Sequence, residues 1–489
     1  MAVALFALMW LPPVVAQAPP QEPTPSGLEK KVEPWLGRQA LGVYMLGKKV
    51  GFVIAEVKVV SFEGKPAFHL AVESELQIKM FGEVAKMKTV QETWNSLEGR
   101  GALLQVREMS IEDGTKTENI LRQGDAGWEV VTRTGDREEV REVDPPRASL
   151  EDDIKIDAWL AAGPEKGEKH ELWMTDLGKK DINARESLQF IRSEEHVQSG
   201  VTGTVHVVKM KMDGLSGTVK LLNQKVFLEA EVGRVMRMVA EEEAIARRMD
   251  VKAIDLTADF SVALDEDLGD DPAQLESLTA EISGLGDMEF PDSHRQRIEK
   301  REGKPDLVHL KRDYQVEEGK PLSDEERKPW VEKQPGIESD HPRIRAQAEK
   351  IIGGETDPIK MAARLQNWTF NHLETTMAKN SNSALTILDQ KAGDCTEHAR
   401  LFVALARAAG LPAREVGGLM YIHEGKPMFG WHAWAEIHDG RQWVSIDPAW
   451  DQVFVDATHL KLSSGTDDYS WVGTIGALKL RVTGFEKKD

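Results

Sequence analysis

The strongest constraint on the fold lies near the C-terminal end, where two alternating, aromatic-rich runs flank Asp439-Gly440. His432-Ala-Trp-Ala-Glu-Ile-His438 precedes that pair and Arg441-Gln-Trp-Val-Ser-Ile-Asp447 follows it. Period-two alternation on both sides of an Asp-Gly step predicts a β-hairpin closed by a two-residue type I′ turn. In that register His438 opposes Arg441, and stepping outward along the strands His432 opposes Asp447. Directly opposed Cβ atoms lie about 4.5–5.5 Å apart, close enough for a carboxylate to hold an imidazole in one tautomer and orientation. A slip of one residue sends the two side chains to opposite faces, so the pairing depends on register.

The only cysteine narrows the chemistry. Cys395 sits in Ala392-Gly-Asp-Cys-Thr-Glu-His-Ala399, just ahead of a long apolar stretch. A lone thiol makes no internal disulfide and no zinc site by itself, so its chemistry is nucleophilic. Asp394 is placed as a helix N-cap, with Glu397 three residues on completing a capping-box pattern. The run to Ala409 is compatible with helix; Gly410 is a natural stop and Pro412 prevents continuation. Cys395 therefore falls in the first helical turn. There the positive end of the helix dipole favours thiolate, and first-turn N–H groups face any developing oxyanion. Taken singly, a buried cysteine, a solvated histidine and a tryptophan-rich hairpin are ordinary packing features. Together they give a thiol, an imidazole and a carboxylate in the order of a Cys-His-Asp nucleophile system.

Gly393-Asp394-Cys395, Leu401-Phe402-Val403-Ala404-Leu405-Ala406-Arg407-Ala408-Ala409-Gly410-Leu411-Pro412-Ala413-Arg414, Trp431-His432-Ala433-Trp434 and Trp443-Val444-Ser445-Ile446-Asp447-Pro448 resemble the core of the transglutaminase-like superfamily. Its members share a papain-related fold and include transglutaminases, proteases and amidases. The resemblance covers roughly residues 340–465. It implies Cys395 as nucleophile, His432 as general base and acid, and Asp447 as the group that orients His432. It also implies a polypeptide substrate and leaves the choice between hydrolysis and transfer to an amine open. Gln366, Trp368 and Trp431 are candidates to approach the oxyanion, but packing roles fit them equally well and none is assigned. An inactive binding or structural module of the cell envelope with the same core is the alternative.

The rest of the chain sets the frame. At 489 residues it exceeds the size of one growing core, so two or three domains are expected. The net charge of −20 argues against nucleic-acid binding, which needs clustered Lys and Arg. Residues 1–18 read as a signal peptide with an Ala16-Gln17-Ala18 cleavage site, pointing to a secreted or periplasmic protein. No other segment is long and apolar enough for an integral membrane span. Residues 19–34 read as a linker. Residues 35–265 read as antiparallel β structure, split near 145–150, with turn signals such as Glu63-Gly64. Residues 266–339 read as a connector, and 340–489 as the catalytic domain, with helices over Arg343–Ile352 and Pro358–Thr376. The fold class expected is α+β, a β-rich N-terminal region followed by the papain-like core. No cofactor-binding motif is visible. Asp265–Asp271 is acidic but lacks the glutamate that closes a calcium loop, and His372, His398, His423, His438 and His459 show no metal-ligand spacing. Neither metal nor cofactor is therefore expected.

Overall fold

The computed structural model describes residues 27–488 except 81–82, 113–114, 136, 199–200, 213–214, 224–225, 234, 250–260, 270, 287, 377–380, 382, 425 and 466–473. The signal-peptide reading of residues 1–18 lies outside the described residues. The fold is α+β, and the chain divides into two compact units, residues 1–79 with 84–254 and residues 80–83 with 255–489. No helix of the described residues is long and apolar enough to cross a membrane.

The N-terminal unit is built on one fourteen-stranded antiparallel sheet. Eight strands, from Gly37–Met45 to Arg137–Val143, form one meander. Six more, from Lys169–Thr175 to Met236–Glu241, form a second. The two join where the first strand of the sheet pairs with the last, from Ala40↔Glu241 to Met45↔Met236. The helix Leu150–Ala161 links them and buries Leu150, Ile156 and Leu160. The linker expected over 19–34 is helical in its described part: Gly27–Val32 is α-helix and Glu33–Trp35 a 3-10 turn. The reason is apolar spacing. Val32 and Trp35 lie three residues apart and pack with Val57, Phe68 and Leu97. The Trp35 indole N–H also donates to Asp157 Oδ2 at 2.8 Å.

In the C-terminal unit, one sheet runs in the order Gln452–Val453, Trp443–Asp447, Lys426–His438, Ala413–Glu424, Leu460–Ser464. Ser261–Ala263 pairs with the outer part of Lys426–His438. Helices Pro342–Ile352, Pro358–His372, Ala384–Gln390 and Cys395–Ala408 cover the sheet. Their shared core joins Leu401, Phe402 and Leu405 of the Cys395 helix to Ala435, Ile437, Val444 and Ile446 of the hairpin.

Residues 266–339, expected as a connector, hold three strands. Leu275–Ser283, Gln296–Glu299 and Asp306–Lys311 form a four-stranded sheet with Lys479–Lys487. Leu278, Ala280 and Ile282 alternate onto the buried face, and Ala280 pairs with both Val308 and Val482. Their alternation with polar residues is itself a strand pattern, but the strand that completes the sheet lies about 200 residues away in sequence. From Asp313 to Lys320 the chain follows the hairpin. Asp313 Oδ2 accepts the Ser445 N–H at 2.6 Å, and Lys320 N–H donates to the Arg441 carbonyl.

Candidate active site

The helix Cys395–Ala408 begins as its sequence predicts. Asp394 accepts the Thr396 N–H at 2.7 Å, Glu397 reaches back to the Asp394 N–H at 2.8 Å, and the capping box closes. A Cβ at Gly393 would collide with the Glu397 side chain, so the box needs glycine there. Burial and the Asp394 charge raise the Glu397 carboxyl to about 8. At the other end Gly410 N–H donates to the Arg407 carbonyl and Leu411 N–H to that of Ala406, the paired bonds of a glycine stop. Cys395 is the first helical residue, half-buried, and its N–H has no intrahelical acceptor.

The hairpin forms, but its turn is displaced. The ladder pairs His438 with Trp443, Ile437 with Val444, Glu436 with Ser445 and Ala435 with Ile446. The central turn residues are therefore Gly440-Arg441, not Asp439-Gly440. Gly440 adopts φ +99°, and the Asp439 carboxylate accepts the N–H groups of Arg441 and Gln442 at 2.8 and 2.9 Å. Shifting the turn by one residue shifts the register by two. His432 and Asp447 are thus diagonal neighbours, not the direct pair expected from the sequence. Because strand side chains alternate with period two, a two-residue shift keeps both on one face.

The contact survives this correction: His432 Nε2 lies 2.7 Å from Asp447 Oδ2, both residues buried. The Cys395 sulfur is close enough to the same imidazole to help raise it. With Nε2 taken by Asp447, Nδ1 is the ring nitrogen left for sulfur. Burial alone pushes the His432 ring down. The Asp447 charge, the Asp447 hydrogen bond and the Cys395 hydrogen bond outweigh it and raise His432 to about 9. Burial alone pushes the Asp447 carboxyl up, but the charges and hydrogen bonds of His432 and His459 hold it well below the usual carboxylate range. Asp447 Oδ1 accepts the Ala449 and Trp450 N–H groups at 2.8 and 3.1 Å.

His459 is the site residue that sequence reasoning missed. It is fully buried, with Nε2 3.1 Å from Asp447 Oδ2 and Nδ1 3.3 Å from Asp456 Oδ1. Read singly it lacks metal-ligand spacing. The available signal is Asp456-Ala-Thr-His459 following the Asp447 strand within a dozen residues. Among the described residues, one group of His, Cys, Asp or Glu side chains places three donor atoms within 4.8 Å of one another: His432, Asp447 and His459. Two imidazole nitrogens already engage the shared oxygen there.

The other candidates have structural partners. Gln366 is buried, and its amide donates to Asp451 Oδ1 at 2.9 Å. Trp368 stacks on His372 at 4.1 Å, and Trp431 packs against the core of the second sheet. His398, one turn after Cys395, is buried, with Nδ1 2.7 Å from the Asp394 carbonyl oxygen. In the acidic loop, Asp267 Oδ1 accepts the Tyr421 hydroxyl at 2.9 Å and the Gly269 N–H at 2.7 Å.

Residues 345–448 match the model of the transglutaminase-like superfamily. An uncharacterized protein of Haemophilus influenzae is 36% identical over 86 residues, which is 16% of this chain and 22% of that one. A protein-glutamine gamma-glutamyltransferase of Pseudomonas aeruginosa is 28% identical over 127 residues, 22% of this chain and 18% of that one. The chain thus spans about a fifth of the length of these curated relatives. A solved structure of a candidate cysteine protease from Cytophaga hutchinsonii aligns with 44% of this chain and 86% of its own, at 19% identity and a TM-score of 0.29. The matched segment contains Cys395, His432 and Asp447, and the chain carries a transglutaminase-like domain over residues 345–448.

Proposed function

We propose that the chain is an exported cysteine-dependent enzyme that breaks amide or peptide bonds of a polypeptide through a thioester on Cys395. The observation that carries this reading is the buried His432–Asp447 contact at 2.7 Å, with the Cys395 sulfur near enough to the same ring to help raise it. A carboxylate that orients an imidazole, which in turn holds the proton of a thiol, is the arrangement that activates a nucleophile.

The steps follow from where the protons sit. His432, raised to about 9, holds its proton through neutral pH. The Cys395 sulfur attacks the amide carbonyl carbon, and the carbonyl π electrons move onto oxygen. The N–H of Cys395, the first of the helix, is a donor for that oxyanion. As the tetrahedral species collapses, the C–N bond breaks and His432 gives its proton to the leaving amine. The acyl group is left as a thioester. His432 then takes a proton from water, whose oxygen attacks the thioester, and the acid leaves as sulfur is released. An amine in place of water yields a new amide. Similarity to a protein-glutamine gamma-glutamyltransferase favours including a glutamine carboxamide among the acyl donors tested.

Mass spectrometry of Cys395 after quenching with candidate peptides is the direct experiment. A peptide-derived acyl mass on Cys395 supports the reading. Cys395→Ala abolishes both adduct and turnover while the melting temperature stays within a few degrees of wild type. Turnover that survives Cys395→Ala ends the proposal. A Cys395 that resists iodoacetamide at neutral pH points instead to a binding module. Asp447→Asn keeps the shape but presents the wrong hydrogen-bonding partner to His432, and the rate is expected to fall about 10³–10⁴-fold.

A further inference from the structure

The site contains a second imidazole for which a three-residue mechanism has no use. His459 shares Asp447 Oδ2 with His432, and its other ring nitrogen faces Asp456 Oδ1 at 3.3 Å. A neutral imidazole has one N–H and one lone pair. With a carboxylate oxygen at each nitrogen, a neutral ring would turn its lone pair against a negative charge. Only the doubly protonated ring donates to both. We propose that His459 is a positioning residue, a fixed imidazolium that locks the Asp447 carboxylate in place and shares its charge with His432. The inference rests on the reading above, in which Cys395 reacts through His432.

The surroundings are built to hold that cation. Asp456 is itself fixed: its carboxylate accepts the Thr458 N–H at 2.8 Å, the Thr458 hydroxyl at 2.6 Å and the Gln452 amide at 2.7 Å. Arg295 donates to the Asp456 backbone carbonyl at 3.1 Å, and Trp434 lies edge-on to the His459 ring at 5.3 Å. The groups facing His459 are thus Asp447 and His432 from the hairpin, Asp456 from its own loop, and Arg295 behind Asp456. Asp313 and Glu436 in turn face Arg295. With both imidazoles protonated and both carboxylates ionised, the four buried groups carry no net charge. Asp447 fills both oxygens, Oδ1 with two backbone N–H groups and Oδ2 with two imidazoles, so its rotation is blocked. The His432 and His459 rings are 5.8 Å apart. At that distance a permanent cation opposes the charge on His432. His432 then releases its proton to a leaving amine more readily than it would beside a carboxylate of its own.

The test is the pH dependence of Cys395 alkylation by iodoacetamide, which needs no substrate. In wild type the upper inflection reports His432. His459→Gln keeps an amide donor for Asp447 but removes the positive charge. The upper inflection should move to higher pH by about one to two units, and turnover of any peptide found to acylate Cys395 should fall about tenfold or more. A residue that merely fills space would leave the inflection where it is. A reactive wild type with a superimposable His459→Gln profile overturns this inference and leaves the catalytic reading standing. An inert wild-type thiol removes both. Should His459→Gln not fold, ¹⁵N spectra of histidine-labelled wild type decide the matter. Both His459 ring nitrogens should stay protonated from pH 6 to pH 8, and a neutral ring overturns the inference. A stoichiometric metal ion in the purified protein, held by His432, Asp447 and His459, would also overturn it.

Discussion

The candidate site and the edge of the large sheet handle charge in opposite ways. At the sheet edge an ion pair sits in water: Arg185 and Glu171 approach to 3.1 Å with side chains 64% and 63% exposed. Around the candidate site such pairs are sealed, although other pairs of the C-terminal unit, such as Lys333 with Asp340, stay exposed. Lys461 and Glu436 meet at 2.8 Å with 7% and 5% exposure, and the His459–Asp447 pair has none. Burying an ion costs several kcal/mol and is recovered only when every polar atom finds a partner. Glu436 meets that condition. Lys461 Nζ lies 2.8 Å from each of its oxygens, and Arg414 donates to Oε2 at 2.8 Å. Burial alone pushes the Glu436 carboxyl up, yet the Lys461 and Arg414 charges pull it down to about 2. The first sheet is held by its ladder and apolar clusters, and most of its ion pairs keep at least one partner exposed. Around His432 the charges are part of the framework.

The most severe way to break this contrast is Glu436→Gln. It strands the Lys461 ammonium and the Arg414 guanidinium inside the protein with no anion. Removing one partner of a buried pair costs about 3–5 kcal/mol. Calorimetry should show one unfolding transition lowered sharply. A loss below about 1 kcal/mol would place Glu436 with the surface pairs and remove the distinction.

A pH series sharpens the same comparison. The Asp447, Asp456 and Glu436 carboxyls are lower in the folded state than in the unfolded chain. Their stabilisation is present above the unfolded value of about 4 and lost as pH falls through the folded values. His432 and His459 are raised to about 9. Their stabilisation is complete below about 6.5 and drains away as pH rises through 9. The transition that Glu436→Gln lowers should therefore fall at both ends, below pH 4 and between pH 6.5 and 9. A flat profile from 6.5 to 9 would mean that the two imidazoles gain nothing from their carboxylates on folding.

Two hairpins show what local reasoning reads and what it misses. At Glu63-Gly64 both central residues adopt positive φ, +50° and +81°, and Phe62 pairs with Lys65, as a two-residue turn requires. That turn is exposed, and a Cβ on Gly64 would meet nothing. Around Asp439-Gly440 the same logic names the wrong central pair. There Gln442 donates to the Tyr314 carbonyl at 2.6 Å, and Arg441 is held by Val316, Glu317 and Lys320. A segment more than 100 residues away packs on the turn, which the Asp439 carboxylate also caps locally. His432 and Asp447 were legible because the error was an even number of residues. The Cys395 helix was legible at both ends because its cap and stop are local chemistry. The second sheet was not, because the strand that completes it lies about 200 residues away; His459 was not, because no turn or cap signal ties it to Asp447 and Asp456. Gly440→Ala tests the corrected turn. Its φ of +99° is costly for any residue with a Cβ, so a loss of about 1–2 kcal/mol is expected. An unchanged melting temperature would mean that residue 440 does not adopt this backbone conformation in solution.

The smallest expected effect is the most demanding check on the comparison. Glu171→Gln removes the partner of Arg185 between Lys169–Thr175 and Asn183–Gln198, at the edge of the large sheet. Arg185 has a second anchor, its guanidinium 4.8 Å from the Trp173 ring centroid, so it keeps its place without the carboxylate. Exposed pairs of this kind contribute about 0–1 kcal/mol and are screened by salt. Glu171→Gln should therefore stay within about 0.5 kcal/mol of wild type at low salt, and the difference should vanish at high salt. A salt-resistant loss above about 1 kcal/mol would mean that the first sheet also leans on its charges. The difference between the two regions would then be one of exposure and not of function.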